Sequence, residues 1–99
     1  MTTRLSDPEI EQSAASLTGW QVQQGALVRT FQLPSFAHAI LMIGAVGQLA
    51  EAAGHHPDLA LRGYNQLTIT LTTHSAGGLT VKDFDLARQI QAIPQRGAK

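Results

Sequence analysis

From Leu67 to Thr72 the chain alternates: Leu67, Ile69 and Leu71 fall on one side, Thr68, Thr70 and Thr72 on the other. A period of two marks a strand with one face buried and one face toward water. Threonine, being β-branched, suits the open face. Such a strand needs partner strands beside it and an apolar layer over its buried face, and the rest of the sequence offers both. Trp20 and Val22 alternate with Gln21 and Gln23, and Gln24-Gly25 is a tight-turn pair leading into a second strand, Ala26 to Leu33. Leu27, Phe31 and Leu33 share a face there; Arg29 shares it too, for no reason visible in the sequence. A short strand around Leu59 to Leu61 turns at Arg62-Gly63 toward Tyr64 and the alternating strand.

Three helical patterns complete the chain. Ser6 or Asp7 can cap the first, with Pro8 near its first position, Ile10, Ala14 and Leu17 at helical spacing and Gly19 as its end. Pro34-Ser35 opens a long helix to about Ala53. Phe36, Ile40, Ile43, Gly47 and Ala50 form one apolar stripe of it, and Ala39, Met42, Val46 and Leu49 a neighbouring one. His38, Gln48 and Glu51 occupy the remaining arc together with Leu41 and Ala45. Gly54 is a natural stop, and Pro57 prevents continuation. Thr80 caps a last helix carrying Phe84, Ala87, Ile90 and Ile93 and ended by Pro94, while the tail from Gln95 to Lys99 is expected to fray. The expected fold is α+β, in the order α-β-β-α-β-β-α, with a four-stranded antiparallel sheet, the helices packed on one face, and one domain over residues 1–99.

Composition limits what this domain can do. The formal charge is zero and the basic residues are scattered, which argues against a nucleic-acid partner. The longest apolar stretch, Ala39 to Leu49, is shorter than the roughly 20 residues a bilayer requires, and no apolar signal core follows the N-terminus. A soluble cytoplasmic protein without membrane partner is expected. With 99 residues and no cysteine, neither disulfides nor thiolate-bound metal can staple the fold. A modest core and a central helix apolar over more than one face point to a homo-oligomer, dimer or tetramer.

Histidine is the residue type to examine for chemistry, because a free imidazole titrates near pH 6.5 and exchanges protons at neutrality. His55 and His56 follow a helix end, and His74 follows a strand; segment ends are where a scaffold presents reactive side chains. Neighbouring histidines point in different directions, so one can contact a substrate while the other orients it. Glu51 precedes His55 by one helical turn, within reach to fix its tautomer. Asp83 lies three residues after Thr80, at capping-box spacing, a role compatible with holding the His74 loop. No fixed metal-binding spacing such as HExxH is present, so no metal is expected. Gly77-Gly78 is too short for a phosphate loop, and adjacent His74 and Ser75 do not suit a Ser-His-Asp arrangement. His38 reads as a surface residue and Trp20 as a core anchor.

Taken in order, Glu51-x-x-x-His55-His56-Pro57, Tyr64-Asn65, Thr72-Thr73-His74, Gly77-Gly78-Leu79-Thr80-x-x-Asp83 and Leu86-Ala87 closely resemble the pterin-4a-carbinolamine dehydratase family. Weaker agreement covers Gly19-Trp20 and Phe31 to Ala39, so nearly the whole chain resembles it. The resemblance implies the same α+β fold, catalytic roles for His55, His56 and His74, and supporting roles for Glu51, Pro57 and Asp83. It also implies a pterin pocket formed by Gly54, His55, His56, Thr72, Thr73, His74 and Ser75. It implies a hydro-lyase that uses no cofactor, the pterin being its substrate, and association through sheet edges and the central helix. Relatives of the family also act as dimerisation partners of a transcription factor, which gives the alternative of a non-catalytic interaction module. Two departures touch the pocket: Leu59 stands where many members carry an aromatic residue, and one extra residue falls around Arg62-Gly63.

Overall fold

A computed structural model describes residues 3–94; the tail expected to fray lies outside the described residues. The elements run α1 (Asp7–Ala14), β1 (Gln21–Gln23), β2 (Ala26–Gln32), α2 (Phe36–Ala53), β3 (Asp58–Arg62), β4 (Gln66–Leu71) and α3 (Val81–Gln91), with one turn of 3-10 helix at His74–Ala76 before α3. The four strands form one antiparallel sheet in the order β1-β2-β4-β3. Both hairpins turn through left-handed backbone. Gln24 and Gly25 have φ of 50° and 78°, and Gly63 and Tyr64 have 56° and 62°, the geometry that matches the twist of the flanking strands. Three residues join Arg62 to its partner Gln66, and Leu59 and Leu61 stand in register with Ile69 and Leu67.

Register explains the faces. Leu27, Arg29 and Phe31 of β2 lie opposite Leu71, Ile69 and Leu67 of β4. The apolar members of this layer are buried, and they join Ala39, Met42, Val46 and Ala50 of α2 and Phe84, Leu86, Ala87 and Ile90 of α3 in one core. Burying a side chain the size of Phe84 or Leu86 stabilises by about 1.5–3 kcal/mol. The opposite face carries Thr30, Thr68, Thr70, Gln32 and Gln66, and the Thr30 and Thr68 hydroxyls meet across the strands at 2.8 Å.

Arg29 has a structural reason for facing inward. Its Nη1 donates to the Thr18 carbonyl (3.1 Å) and to Gln91 Oε1 (3.3 Å), and its guanidinium lies 4.2 Å from the Phe31 ring centroid. Phe31 also meets Trp20 edge to face. Gly19, with φ of 91°, leaves the space the guanidinium needs, since a Cβ there would lie 2.9 Å from Arg29 Cζ. Gly19 therefore does not end α1. Ser6 caps that helix in a reciprocal box with Glu9, the helix stops at Ala14, and Leu17 enters the core from the following turn.

The stripes of α2 divide unequally. Its buried side is Ala39, Met42, Val46 and Ala50, whereas Phe36, Ile40 and Leu41 are 55%, 48% and 72% exposed. The first stripe thus contributes only Ala50 to the buried core. At 18 residues α2 is long and apolar enough, by length and composition, to cross a membrane, although Ala39–Leu49 alone is not. Its buried stripe is nonetheless part of the core shared with the sheet.

Candidate active site

β4 is a central strand, and its C-terminal end is flanked on both sides. Asp58, which opens β3, pairs with Thr70, so the His55-His56-Pro57 segment reaches β4 from one side. Leu27 pairs with Leu71, so the Gln24-Gly25 turn stands on the other. Thr72, Thr73 and His74 leave β4 between the two.

The histidine segment owes its course to the end of α2. Gly54 is left-handed, with φ of 62°, and its N–H and that of His55 both return to the Ala50 carbonyl. This αL cap takes the chain out of helical phase. His55 therefore does not stack one turn above Glu51, as helical spacing suggested. It turns inward, 8% exposed, and its Nε2 lies 2.6 Å from Asp83 Oδ1 at the start of α3. Glu51 instead meets His56, Oε2 to Nε2 at 2.6 Å, with both side chains exposed to water. Each Nε2 faces a carboxylate and carries the hydrogen, so in the neutral ring Nδ1 is the basic nitrogen.

Asp83 is completely buried and serves two purposes. Oδ2 closes the α3 capping box by accepting the Thr80 N–H at 2.9 Å, and it also accepts the Thr73 hydroxyl at 2.7 Å. Thr73 spends its proton there, so in the 2.9 Å contact between the Thr73 and Thr80 hydroxyls Thr80 is the donor. Oδ1 is left for His55. One carboxylate thereby joins the start of α3, the His55 loop and the segment that leads to His74. A buried charge is tolerated when it is fully hydrogen-bonded, as this one is.

The other expected site residues are distributed around this network. His74 is exposed in the 3-10 turn, beside a groove of about 300 Å³ that Gln24, Gly25, Thr72, Gly77 and Gly78 also line. Thr72 Oγ1 donates to the Gly25 carbonyl at 2.8 Å, tying the groove's two walls together. Ser75 and Gly54 are exposed, and Pro57 is half-buried. Thr73, expected to touch substrate, is buried, and its hydroxyl is committed to Asp83. It holds the neighbouring His74 segment instead. Thr80 belongs to the network as well as to the helix cap, because the segment after β4 brings the Thr73 hydroxyl to both Thr80 and Asp83. His38, mid-helix in the sequence, is exposed at the first turn of α2, its Nδ1 2.7 Å from the capping Ser35 hydroxyl.

Comparison with known proteins identifies the family. The sequence profile of the pterin 4 alpha carbinolamine dehydratases matches residues 3–93. A relative from Roseiflexus sp. (strain RS-1), provisionally named a pterin-4-alpha-carbinolamine dehydratase, is 58% identical over 93 residues, covering 94% of this chain and 99% of that one. One of the same provisional name from Chloroflexus aurantiacus is 50% identical over 90 residues, covering 91% and 96%. The crystal structure of a transcriptional coactivator/pterin dehydratase from Brucella melitensis superposes with a TM-score of 0.87 at 33% identity, over 92% of this chain and 98% of that one. With the profile spanning nearly its whole length and such relatives matching end to end, this chain belongs to the pterin-4a-carbinolamine dehydratase family.

Proposed function

We propose that this protein removes water from a 4a-hydroxytetrahydropterin and releases quinonoid dihydropterin. In this reaction the C4a–O bond breaks as the departing hydroxyl takes up a proton. N5 loses its proton, and the N5–C4a double bond forms. The change needs only proton transfer, so the pterin is the substrate and no further cofactor takes part. Each well-placed acid or base is worth about 10²–10⁴-fold in rate.

The observation that carries this reading is the second oxygen of Asp83. A capping box needs one carboxylate oxygen, and Oδ2 supplies it; Oδ1 is aimed at His55 from a fully buried position. A carboxylate behind an imidazole fixes the ring's tautomer and supports the cation that forms when the ring accepts a proton. His55 is accordingly the base that takes the N5 proton at Nδ1, through the small edge it leaves exposed. His74, exposed on the segment that follows β4, protonates the departing hydroxyl. His56, backed by Glu51 at the rim, exchanges protons with water. The test is to generate the 4a-hydroxypterin in place and follow the decay of its ultraviolet signal with and without protein. Acceleration supports the assignment; decay at the spontaneous rate at micromolar protein would sink it.

A further inference from the structure

Asp83 receives a relay of donors that helix capping does not require. The Lys82 N–H donates to the Thr80 hydroxyl oxygen at 3.2 Å, the Thr80 hydroxyl to that of Thr73 at 2.9 Å, and the Thr73 hydroxyl to Asp83 Oδ2 at 2.7 Å. Every link points toward the carboxylate, and each polarises the next. Thr73, Thr80 and Asp83 are all buried, so the relay works out of water. It draws the charge of Asp83 toward Oδ2, while His55 Nε2 approaches Oδ1 at 2.6 Å on the other side.

The local fold does not explain the Thr73 hydroxyl. The backbone already fixes this segment: the Thr73 N–H donates to the Gly78 carbonyl at 3.2 Å, and the Thr73 carbonyl accepts from Gly78 at 3.3 Å and from Ala76 at 3.1 Å. The α3 cap is closed by the Thr80 N–H on Oδ2. Valine would fill the same space with no hydroxyl to desolvate, so packing alone gives no reason for threonine.

We propose that Thr73 is a positioning residue for proton transfer: its hydroxyl limits how strongly Asp83 holds the His55 imidazolium, so that the ring both takes up the N5 proton and releases it again. The proposal rests on the dehydratase reading, in which His55 is the base. Its sign follows from the charges. A carboxylate that loses a donor keeps more of its negative charge at Oδ1, and more charge there stabilises the protonated ring. Asp83 is the charged group hydrogen-bonded to His55 among the described residues. The neighbouring elements contribute Glu51, which is engaged by His56, Asp58 of β3, His74 after β4, and Lys82 and Asp85 of α3, all of them exposed.

The experiment measures kcat/KM against pH for wild type, Thr73→Val, Thr73→Ser and Thr73→Cys, together with NMR titration of the His55 ring in each. In Thr73→Val the acidic limb of the profile and the His55 midpoint should both move to higher pH by about half a unit to one unit. On that limb this is a three- to tenfold loss, the share of one hydrogen bond to a charged group that reaches the ring. Serine restores the hydroxyl and should return both to wild-type values. Cysteine, a weaker donor of similar size, should fall between them, and it carries the test if the valine variant does not fold. A purely structural role would lower the denaturation midpoint of the valine or cysteine variant and leave the His55 midpoint where it was; that result, or a shift in the opposite direction, would overturn the proposal. If the wild type does not dehydrate the pterin, the functional reading falls, and the His55 titration still decides whether Thr73 governs the ring.

Discussion

Replacing Asp83 by asparagine tests the site at its most committed atom. The side chain keeps its shape, and one oxygen can still accept from the Thr80 N–H and the Thr73 hydroxyl, now at 2.9 and 2.7 Å. The amide nitrogen then faces His55 Nε2 in place of the oxygen that stands 2.6 Å away. Two N–H groups cannot satisfy each other, so the neutral ring must move its hydrogen to Nδ1 and accept at Nε2. Three charge-assisted bonds become neutral ones, at a cost of about 1 kcal/mol each, or about 3 kcal/mol in all before the easier burial of a neutral amide offsets part of it. Asp83→Ala is a different perturbation. It strands three donors in a buried site at about 1–3 kcal/mol each before relaxation, a large part of the roughly 5–15 kcal/mol that holds a domain together. The asparagine variant is therefore the informative one: folded, but with the basic nitrogen turned away from the substrate. Its kcat should fall about 10²-fold or more, the lower end of the range for a lost general base. The ring-nitrogen chemical shifts of His55 should report the exchanged tautomer. A folded Asp83→Asn variant with kcat within about threefold of wild type would refute the tautomer argument, since a lost base cannot cost so little.

Other consequences follow from the same geometry. His74→Ala should slow dehydration about 10²-fold or more while leaving the denaturation midpoint near wild type, because the side chain is exposed; a large stability loss instead would assign it a structural role. Dialysis against a chelator should leave the dehydration rate unchanged, and a loss restored by zinc would contradict a mechanism built on proton transfer alone. Light scattering should give the mass of two or four chains, and Leu41→Asp, at a position 72% exposed on α2, should shift it toward one; a wild-type mass of one chain would exclude the oligomer. At the other end of the chain, donation from the Ser6 N–H holds the Glu9 carboxyl below the ordinary glutamate value of 4.5. A lowered folded-state pKa means that the capping contribution is present above the unfolded pKa and lost as pH falls through the folded one. NMR titration should therefore find the Glu9 midpoint below 4.5, and Glu9→Gln should remove this acid-induced fraying of α1.

Much of the fold was legible because local chemistry and tertiary packing agree. The Thr/Leu alternation of β4, the helix start at Pro34-Ser35, the Thr80 cap and the Gly54 stop each favour one local conformation, and the structure adopts it. Two of the misreadings share a cause: a residue whose partner is remote in sequence. Gly19 looked like a helix stop, but its missing side chain makes room for Arg29, ten residues on. Arg29 looked misplaced because its acceptors, Thr18 and Gln91, come from two other segments. The pairing of Glu51 with His56 was hidden by the αL cap that intervenes, since helical spacing loses its meaning beyond Gly54. The candidate site follows the same pattern. Its histidines could be picked out one by one, by residue type and position at segment ends. The link between His55 and Asp83 spans 28 residues and two elements, so no periodicity could reveal it. The spacing of Thr80 and Asp83 gave only the cap. That cap and the histidine's orienting group are one carboxylate, so a substitution at position 83 made to tune the chemistry also changes how α3 begins. Stability and proton transfer should vary together there, and separate at His74, whose exposed ring carries no part of the core.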